Sequence, residues 1–136
     1  MHSAGLLSFK VMFFERWESG LFKRPELFPE QSVVTIATHD TATLTGWWKG
    51  RDLQWRETLN LYPSEEAGEH DRHARAGERA MLIDALNDMQ VIDLKNAPLQ
   101  SPATMNTELS IAVQKYLAAA KSHIQLIPLE DAIECE

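Results

Sequence analysis

His39 and Asp40 lie side by side directly after an apolar run at residues 32–37. A hydrogen-bonding imidazole beside a carboxylate is a combination that suits a functional site in a cleft. Two simpler interpretations stay open: Asp40 as the N-cap of a following helix, and His39 as a partly buried histidine whose hydrogen bonds are satisfied. Neither explains why both polar residues fall together at the end of an apolar strand, so this pair is the leading candidate site.

A second cluster, His70, Asp71 and His73, contains residue types that bind metals. On a helix, positions three apart share a face, so both imidazoles could approach one ion. A zinc site needs three or four ligands, however, and no Cys or further His lies nearby in the sequence. Because Arg72 and Arg75 would repel a cation, a solvated helix face is the better interpretation. We therefore expect no metal site and no cofactor.

Trp47 and Trp48 follow shortly after the first candidate pair. Flat aromatic faces can stack on sugar rings, but a Trp in a helix that follows a strand packs in the core more often. Core packing is therefore the interpretation we favour. The sequence contains no phosphate-binding glycine loop and no serine in a nucleophile-elbow setting.

Three short apolar runs predict the strands that must position these residues. They cover residues 9–14, 32–37 and 123–127. In the second run apolar side chains occupy successive positions, which indicates a parallel sheet covered on both faces. Ligands gather at the carboxyl ends of parallel strands, where His39 and Asp40 are placed by this prediction. Two stretches carry two prolines each: 20–31 is expected to contain only a short helical turn, and 96–102 is expected to be a loop.

Apolar residues at three- and four-residue spacing predict four helices. The first three cover residues 41–49, 52–61 and 64 to about 89, and the last has its apolar positions between 109 and 120. Asp52 and Ser64 are expected N-caps, because their side-chain oxygens can accept hydrogen bonds from free N–H groups of the first turn. Thr104 or Asn106 is the expected cap of the last helix. Two glycines leave open a later start of the third helix, near Arg72.

The order of strand, loop, strand, several helices and strand predicts an α/β fold with right-handed crossovers. The 136 residues carry 13 Lys and Arg against 20 Asp and Glu, a net charge of −7 that argues against nucleic-acid binding. No apolar run approaches the roughly 20 residues that span a bilayer. The single Cys135 has acidic neighbours that disfavour a nucleophilic thiolate, and it suits a reducing compartment. We expect a cytoplasmic protein with no membrane contact.

Residues 35–48, T-I-A-T-H-D-T-A-T-L-T-G-W-W, resemble the signature of the 4-α-glucanotransferases, also called amylomaltases or disproportionating enzymes. That pattern is a strand ending in T-H-D, a Thr-containing stretch, and G-W-W or G-Y-W. Residues 9–16, F-K-V-M-F-F-E-R, resemble the strand that precedes it in the family. Residues 124–133, I-Q-L-I-P-L-E-D-A-I, resemble the last barrel strand and the L-E-D after it. The likeness covers nearly the whole chain in the right order.

The resemblance implies an α/β fold that is the C-terminal part of a (β/α)8 TIM barrel, with about three parallel strands and their helices. Residues 1–136 would be a single unit, the last three β/α units of the barrel, truncated at both ends. It also implies transfer of α-1,4-glucan segments between maltooligosaccharides with retention of configuration, through a covalent glycosyl-enzyme. Asp40 falls on the family's transition-state-stabilising Asp, and His39 on the neighbouring sugar-binding histidine.

The family's acid/base Glu lies in an A-E-D-L-G motif, and its nucleophilic Asp follows an earlier strand; neither motif occurs in this sequence. Glu15 ends the first predicted strand, but nothing in its surroundings matches the acid/base role. We therefore expect the chain by itself to be inactive. Two other functions stay open: a non-catalytic glucan-binding or interaction module, and an oligomerising domain that self-associates through exposed strand edges.

Overall fold

The computed structural model describes residues 5–91 and 105–133. The predicted loop at 96–102, the alternative cap Thr104 and the single Cys135 lie outside these ranges. The described chain contains three strands, five α-helices and two short 3₁₀ turns. In chain order these are β1 Ser8–Val11, the turns Met12–Phe14 and Pro25–Leu27, β2 Ser32–Thr35, α1 Leu44–Lys49, α2 Arg51–Thr58, α3 Glu65–Asp88, α4 Thr107–Ala118, β3 Ile124–Gln125 and α5 Leu129–Ala132.

The three strands form one parallel sheet in the order β1-β2-β3. Phe9 pairs with Val33, and Val33 pairs with Ile124. Each strand is shorter than predicted, although the Leu126 N–H still donates to the Val34 carbonyl at 2.8 Å beyond the end of β3. The predicted α/β class with three parallel strands is confirmed.

The end of the first predicted strand is wrong. β1 stops at Val11, and Met12–Phe14 form a 3₁₀ turn. In a strand, successive side chains point to opposite faces, so Met12 and Phe13 could not both enter the same core. The turn allows both to be buried in the core, while Phe14 stays exposed.

One face of the sheet is covered by helices and the other is open. Val34 and Ile36 belong to the buried core together with apolar residues of α1, α3 and α4. On the opposite face, Phe9, Ile124 and Leu126 are 54%, 44% and 48% exposed. Within residues 5–91 and 105–133, the prediction of a sheet covered on both faces is therefore wrong.

Trp47 and Trp48 lie in the core, as predicted, with 6% and 0% of their surface exposed. Trp47 packs against Phe13 with ring centroids 4.9 Å apart. From α4, the buried Tyr116 hydroxyl donates to the Lys23 carbonyl at 2.9 Å, and burial raises the pKa of this phenol to about 12. This bond holds α4 against the loop between β1 and β2.

Two of the three helix caps predicted from the sequence are confirmed. Ser64 accepts from the Ala67 N–H and caps α3, and Asn106 accepts from the Leu109 N–H and caps α4. A later start of α3 near Arg72 is wrong, because the helix begins directly after Ser64.

Asp52, the third predicted cap, does not cap α2. Gly50 ends α1 in the left-handed conformation with φ of 74°, and α2 begins at the next residue. The Asp52 carboxylate instead forms two hydrogen bonds to Arg75 of α3, at 2.9 and 2.8 Å. Burial alone would raise the pKa of Asp52, but the hydrogen bonds and charge of Arg75 outweigh it and hold that pKa below its ordinary value.

Arg75 joins three helices. Its guanidinium also donates to the Trp47 carbonyl at 2.7 Å and to Glu78 at 3.1 Å, and it lies 5.0 Å from the Trp47 ring centroid. Only 10% of its side chain is exposed. Removing one partner from a buried ion pair leaves an uncompensated charge, which costs more than the pair itself contributes.

We therefore expect Arg75→Met to lower the free energy of unfolding by about 2–4 kcal/mol, measured by urea denaturation. Arg72→Met is the matched control on the same helix, because Arg72 pairs at 3.4 Å with the exposed Glu57. Its effect is expected to stay within about 0.5 kcal/mol.

The pH dependence gives a second measure of the Arg75 network. Because the pKa of Asp52 is lowered in the folded state, its contribution to stability is present at neutral pH and is lost as the pH falls through that lowered pKa. The Arg75→Met variant should lose less stability on acidification. Equal losses in the variant and the wild type would contradict this assignment.

Candidate active site

His39 and Asp40 lie in the loop between β2 and α1, at the carboxyl end of the sheet. Their side chains are 90% and 79% exposed, and His39 Nε2 lies 3.2 Å from Asp40 Oδ1. Both simpler interpretations of these residues are wrong. His39 is not buried, and the N-cap of α1 is Thr43, whose hydroxyl accepts from the Gly46 N–H at 3.0 Å.

Two threonines shape the turn that presents this pair. The Thr38 N–H donates to Thr41 Oγ1 at 2.9 Å, and the Thr41 hydroxyl donates to the Thr38 carbonyl at 3.0 Å. The Asp40 N–H donates to Thr38 Oγ1 at 3.3 Å. Sequence reasoning missed this role, although Thr side chains often hydrogen-bond to nearby backbone in turns.

A cavity of about 640 Å³ lies beside the pair on the open face of the sheet. Its wall includes Phe9 from β1, Thr35 from β2, and Leu126 from the segment directly after β3. His39 and Asp40 lie at its polar side. An apolar cavity with a few convergent polar groups at the carboxyl ends of parallel strands is a typical ligand site.

Asp131 follows the third predicted strand, but the sequence alone predicted no role for it. It lines the same cavity, is 2% exposed, and its Oδ1 accepts from the Leu44 N–H at 2.6 Å. Burial raises the pKa of this carboxyl, the Leu44 N–H opposes the rise, and Glu130 adds to it. The available signal was its place after the third strand, in the L-E-D run.

Glu15 lies away from this cavity. Its carboxylate oxygens are 3.6 Å from Lys10 Nζ and 4.0 Å from Lys23 Nζ. Lys10 pairs in register with Val34, so it belongs to the helix-covered face of the sheet. The structure therefore does not bring Glu15 together with His39 and Asp40.

The predicted solvated face of α3 is confirmed at His70 and His73, which are both exposed. Asp71 lies 3.4 Å from the Arg56 guanidinium. Across residues 5–91 and 105–133, no group of three His, Cys, Asp or Glu side chains is placed to hold a metal ion. In the same ranges, no helix has the length and apolar character needed to cross a membrane.

The parallel sheet with its helices places this protein in the class of α/β folds, in which ligands commonly bind at the carboxyl ends of the strands. The sequence model of the 4-alpha-glucanotransferase family, glycoside hydrolase family 77, matches residues 1–136. The chain belongs to this family.

One curated relative and one solved structure are similar to this chain. A 4-alpha-glucanotransferase of Haemophilus influenzae is 25% identical over 131 residues, which is 96% of this chain and 18% of that protein. The crystal structure of amylomaltase from Corynebacterium glutamicum superposes with a TM-score of 0.72 at 16% identity, covering 89% of this chain and 18% of that one. The second likeness supports the fold. The chain thus spans less than a fifth of the length of either relative.

The Thr38–Thr41 turn generates a testable prediction. Thr41→Val removes the hydroxyl that both accepts from and donates to Thr38, so we expect the free energy of unfolding to fall by about 1–2 kcal/mol. Thr58→Val is the control, since its hydroxyl donates to the Gln54 carbonyl on an exposed helix surface. If urea denaturation gave the same decrease in the free energy of unfolding for both variants, the role of Thr41 would be contradicted.

Proposed function

We propose that this chain is part of a retaining 4-α-glucanotransferase that transfers α-1,4-glucan segments between maltooligosaccharides. The observation that carries the proposal is the exposed His39–Asp40 pair at the carboxyl ends of the strands, beside the cavity. Membership of the 4-alpha-glucanotransferase family supports the reaction and its α-glucan substrates. The acidic composition and the single cysteine support a cytoplasmic location.

We further propose that residues 1–136 form the last three β/α units of a (β/α)8 barrel. In a closed barrel the inward face of the sheet is filled by side chains from all the strands. The exposed face of Phe9, Ile124 and Leu126 fits such an inward position. In the described chain, β1 and β3 are both edge strands, which further strands of the same barrel would pair. Without them, the edges favour self-association of the chain.

Asp40 is proposed to stabilise the transition state. Positive charge develops at the anomeric carbon and ring oxygen as the glycosidic bond breaks, and a fixed carboxylate attracts that charge more strongly than it attracts the neutral sugar. The attraction increases once substrate covers the now exposed carboxylate and excludes water. His39 is proposed to hydrogen-bond a hydroxyl of the same sugar, and its position 3.2 Å from Asp40 supports this role.

The same proposal leaves the isolated chain inactive. A retaining mechanism needs a nucleophile and an acid/base whose carboxyls lie about 5–5.5 Å apart across the scissile bond. Asp40, in its proposed stabilising role, is neither of these groups. Glu15 pairs with two lysines away from the cavity, which argues against its serving as one of them.

Incubation of the purified 136-residue chain with maltotriose tests this point. We expect chromatography of the products to find neither longer nor shorter glucans after extended reaction. Any disproportionation would contradict the proposed inactivity. Binding of maltotriose without turnover, in a longer protein that also lacks activity, would favour the glucan-binding module instead.

Asp40→Asn, made in the longer protein that contains this chain, tests the role of the carboxylate. We expect kcat to fall by about 10²–10³-fold, because a charge-stabilising group is lost from the transition state. The thermal midpoint of the 136-residue chain should be unchanged by the same substitution, since Asp40 is exposed in it. Asp71→Asn, at an exposed ion pair on α3, is the control that should keep its rate. Near-wild-type turnover in Asp40→Asn would refute the assignment.

A further inference from the structure

Asp131 connects two loops that are far apart in sequence. It belongs to the single helical turn α5, three residues after the Pro128 N-cap position, and Leu44 is the first residue of α1. The hydrogen bond from the Leu44 N–H to Asp131 Oδ1 spans 87 positions of sequence at 2.6 Å. It therefore ties the end of β3 to the loop that follows β2.

The bond provides a hydrogen-bond acceptor for one of the N–H groups at the start of α1. The first N–H groups of a helix have no partner within the helix, and an anionic acceptor there also interacts favourably with the helix dipole. Thr43 satisfies the Gly46 N–H, and Asp131 satisfies the Leu44 N–H. A charged acceptor makes the second bond stronger than a neutral one would be.

The loop that carries the site is consequently held at both ends. At the β2 end, Thr38 and Thr41 hydrogen-bond to each other. At the α1 end, Asp131 fixes Leu44. Only residues 42 and 43 lie between the Thr38–Thr41 turn and Leu44. Asp40 lies within that turn. A displacement of Leu44 therefore moves the backbone on which Asp40 stands.

We propose that Asp131 is a positioning residue, which holds the N-terminus of α1 and through it the loop that presents His39 and Asp40 to the cavity. This deepens the function proposed above and rests on it for the kinetic part of the test. Asp131 acts through the backbone of this loop, so it is distinct from a catalytic residue.

The second carboxylate oxygen supports a role other than stability. Asp131 Oδ2 is buried and has no hydrogen-bond partner in the part of the chain that the structure describes. Because burial raises the pKa of this carboxyl in the folded state, its contribution to stability is greatest at acidic pH and is lost as the pH rises through that pKa. Ionisation of this buried carboxyl therefore costs the folded state stability, a pattern that is typical of functional positions.

The test compares two variants at position 131 with a cap variant elsewhere. Asp131→Ala removes the acceptor, whereas Asp131→Asn keeps an oxygen that can accept from the Leu44 N–H. Asn106→Ala removes the cap of α4, which lies outside the cavity wall. Asp131→Ser, whose side chain is one atom shorter, replaces the alanine variant if that variant does not fold.

The first measurement is amide hydrogen exchange on the 136-residue chain, which needs no enzymatic activity. We expect exchange at residues 39–46 to accelerate about tenfold or more in Asp131→Ala, and to stay near wild type in Asp131→Asn and Asn106→Ala. Unchanged exchange in Asp131→Ala would overturn the proposal.

The second measurement is the kinetics of the longer protein with maltotriose, with each rate divided by the folded fraction. We expect kcat to fall about tenfold or more in Asp131→Ala with little change in KM, and the Asn variant to restore it. Asn106→Ala should lower stability but keep kcat. An unchanged kcat in Asp131→Ala, or a loss in Asp131→Asn, would overturn the positioning role. A wild type without transferase activity would refute the proposed function alone, and the exchange data would still decide the role of Asp131.

Discussion

Burial of one face of the parallel sheet is the interaction on which the rest of this structure depends. Val34 and Ile36 of the central strand and its extension lie in one core with Trp48, Leu82 and Val113 of three different helices. Because the strands are parallel, this packing brings their carboxyl ends to the same edge. The loops after β2 and β3 therefore meet, and the site arises where they meet.

The same packing leaves the second face of the sheet without a cover in the described chain. That face forms the floor of the cavity, with Phe9 and Leu126 in its wall, and it adjoins the exposed His39 and Asp40. For the proposed sugar substrate, an apolar floor would contact the apolar face of the ring, and the solvated carboxylate would face its polar rim. Under the proposed function, further strands of the same barrel would cover this face.

Two buried charges illustrate different uses of electrostatics. The Arg75 guanidinium donates hydrogen bonds to Asp52, Glu78 and the Trp47 carbonyl. It therefore joins three helices, and its charge is paired. Asp131 has one oxygen bonded and one buried without a partner in the described ranges. The first arrangement belongs to the scaffold. The second lowers stability locally, beside the cavity, where the proposed role of Asp131 is to orient the neighbouring loop.

The sequence by itself determined the α/β class, the parallel strands, the burial of Trp47 and Trp48 and the cap at Ser64. These depend on residue spacing and on contacts within a few positions, which local pattern encodes. It also singled out His39 and Asp40 by their place after an apolar strand. Only the tertiary structure decided that Asp52 bonds Arg75 instead of capping α2, that Met12 and Phe13 turn together into the core, and that Asp131 holds Leu44. Each of these depends on a partner that is distant in sequence, and only packing selects such a partner.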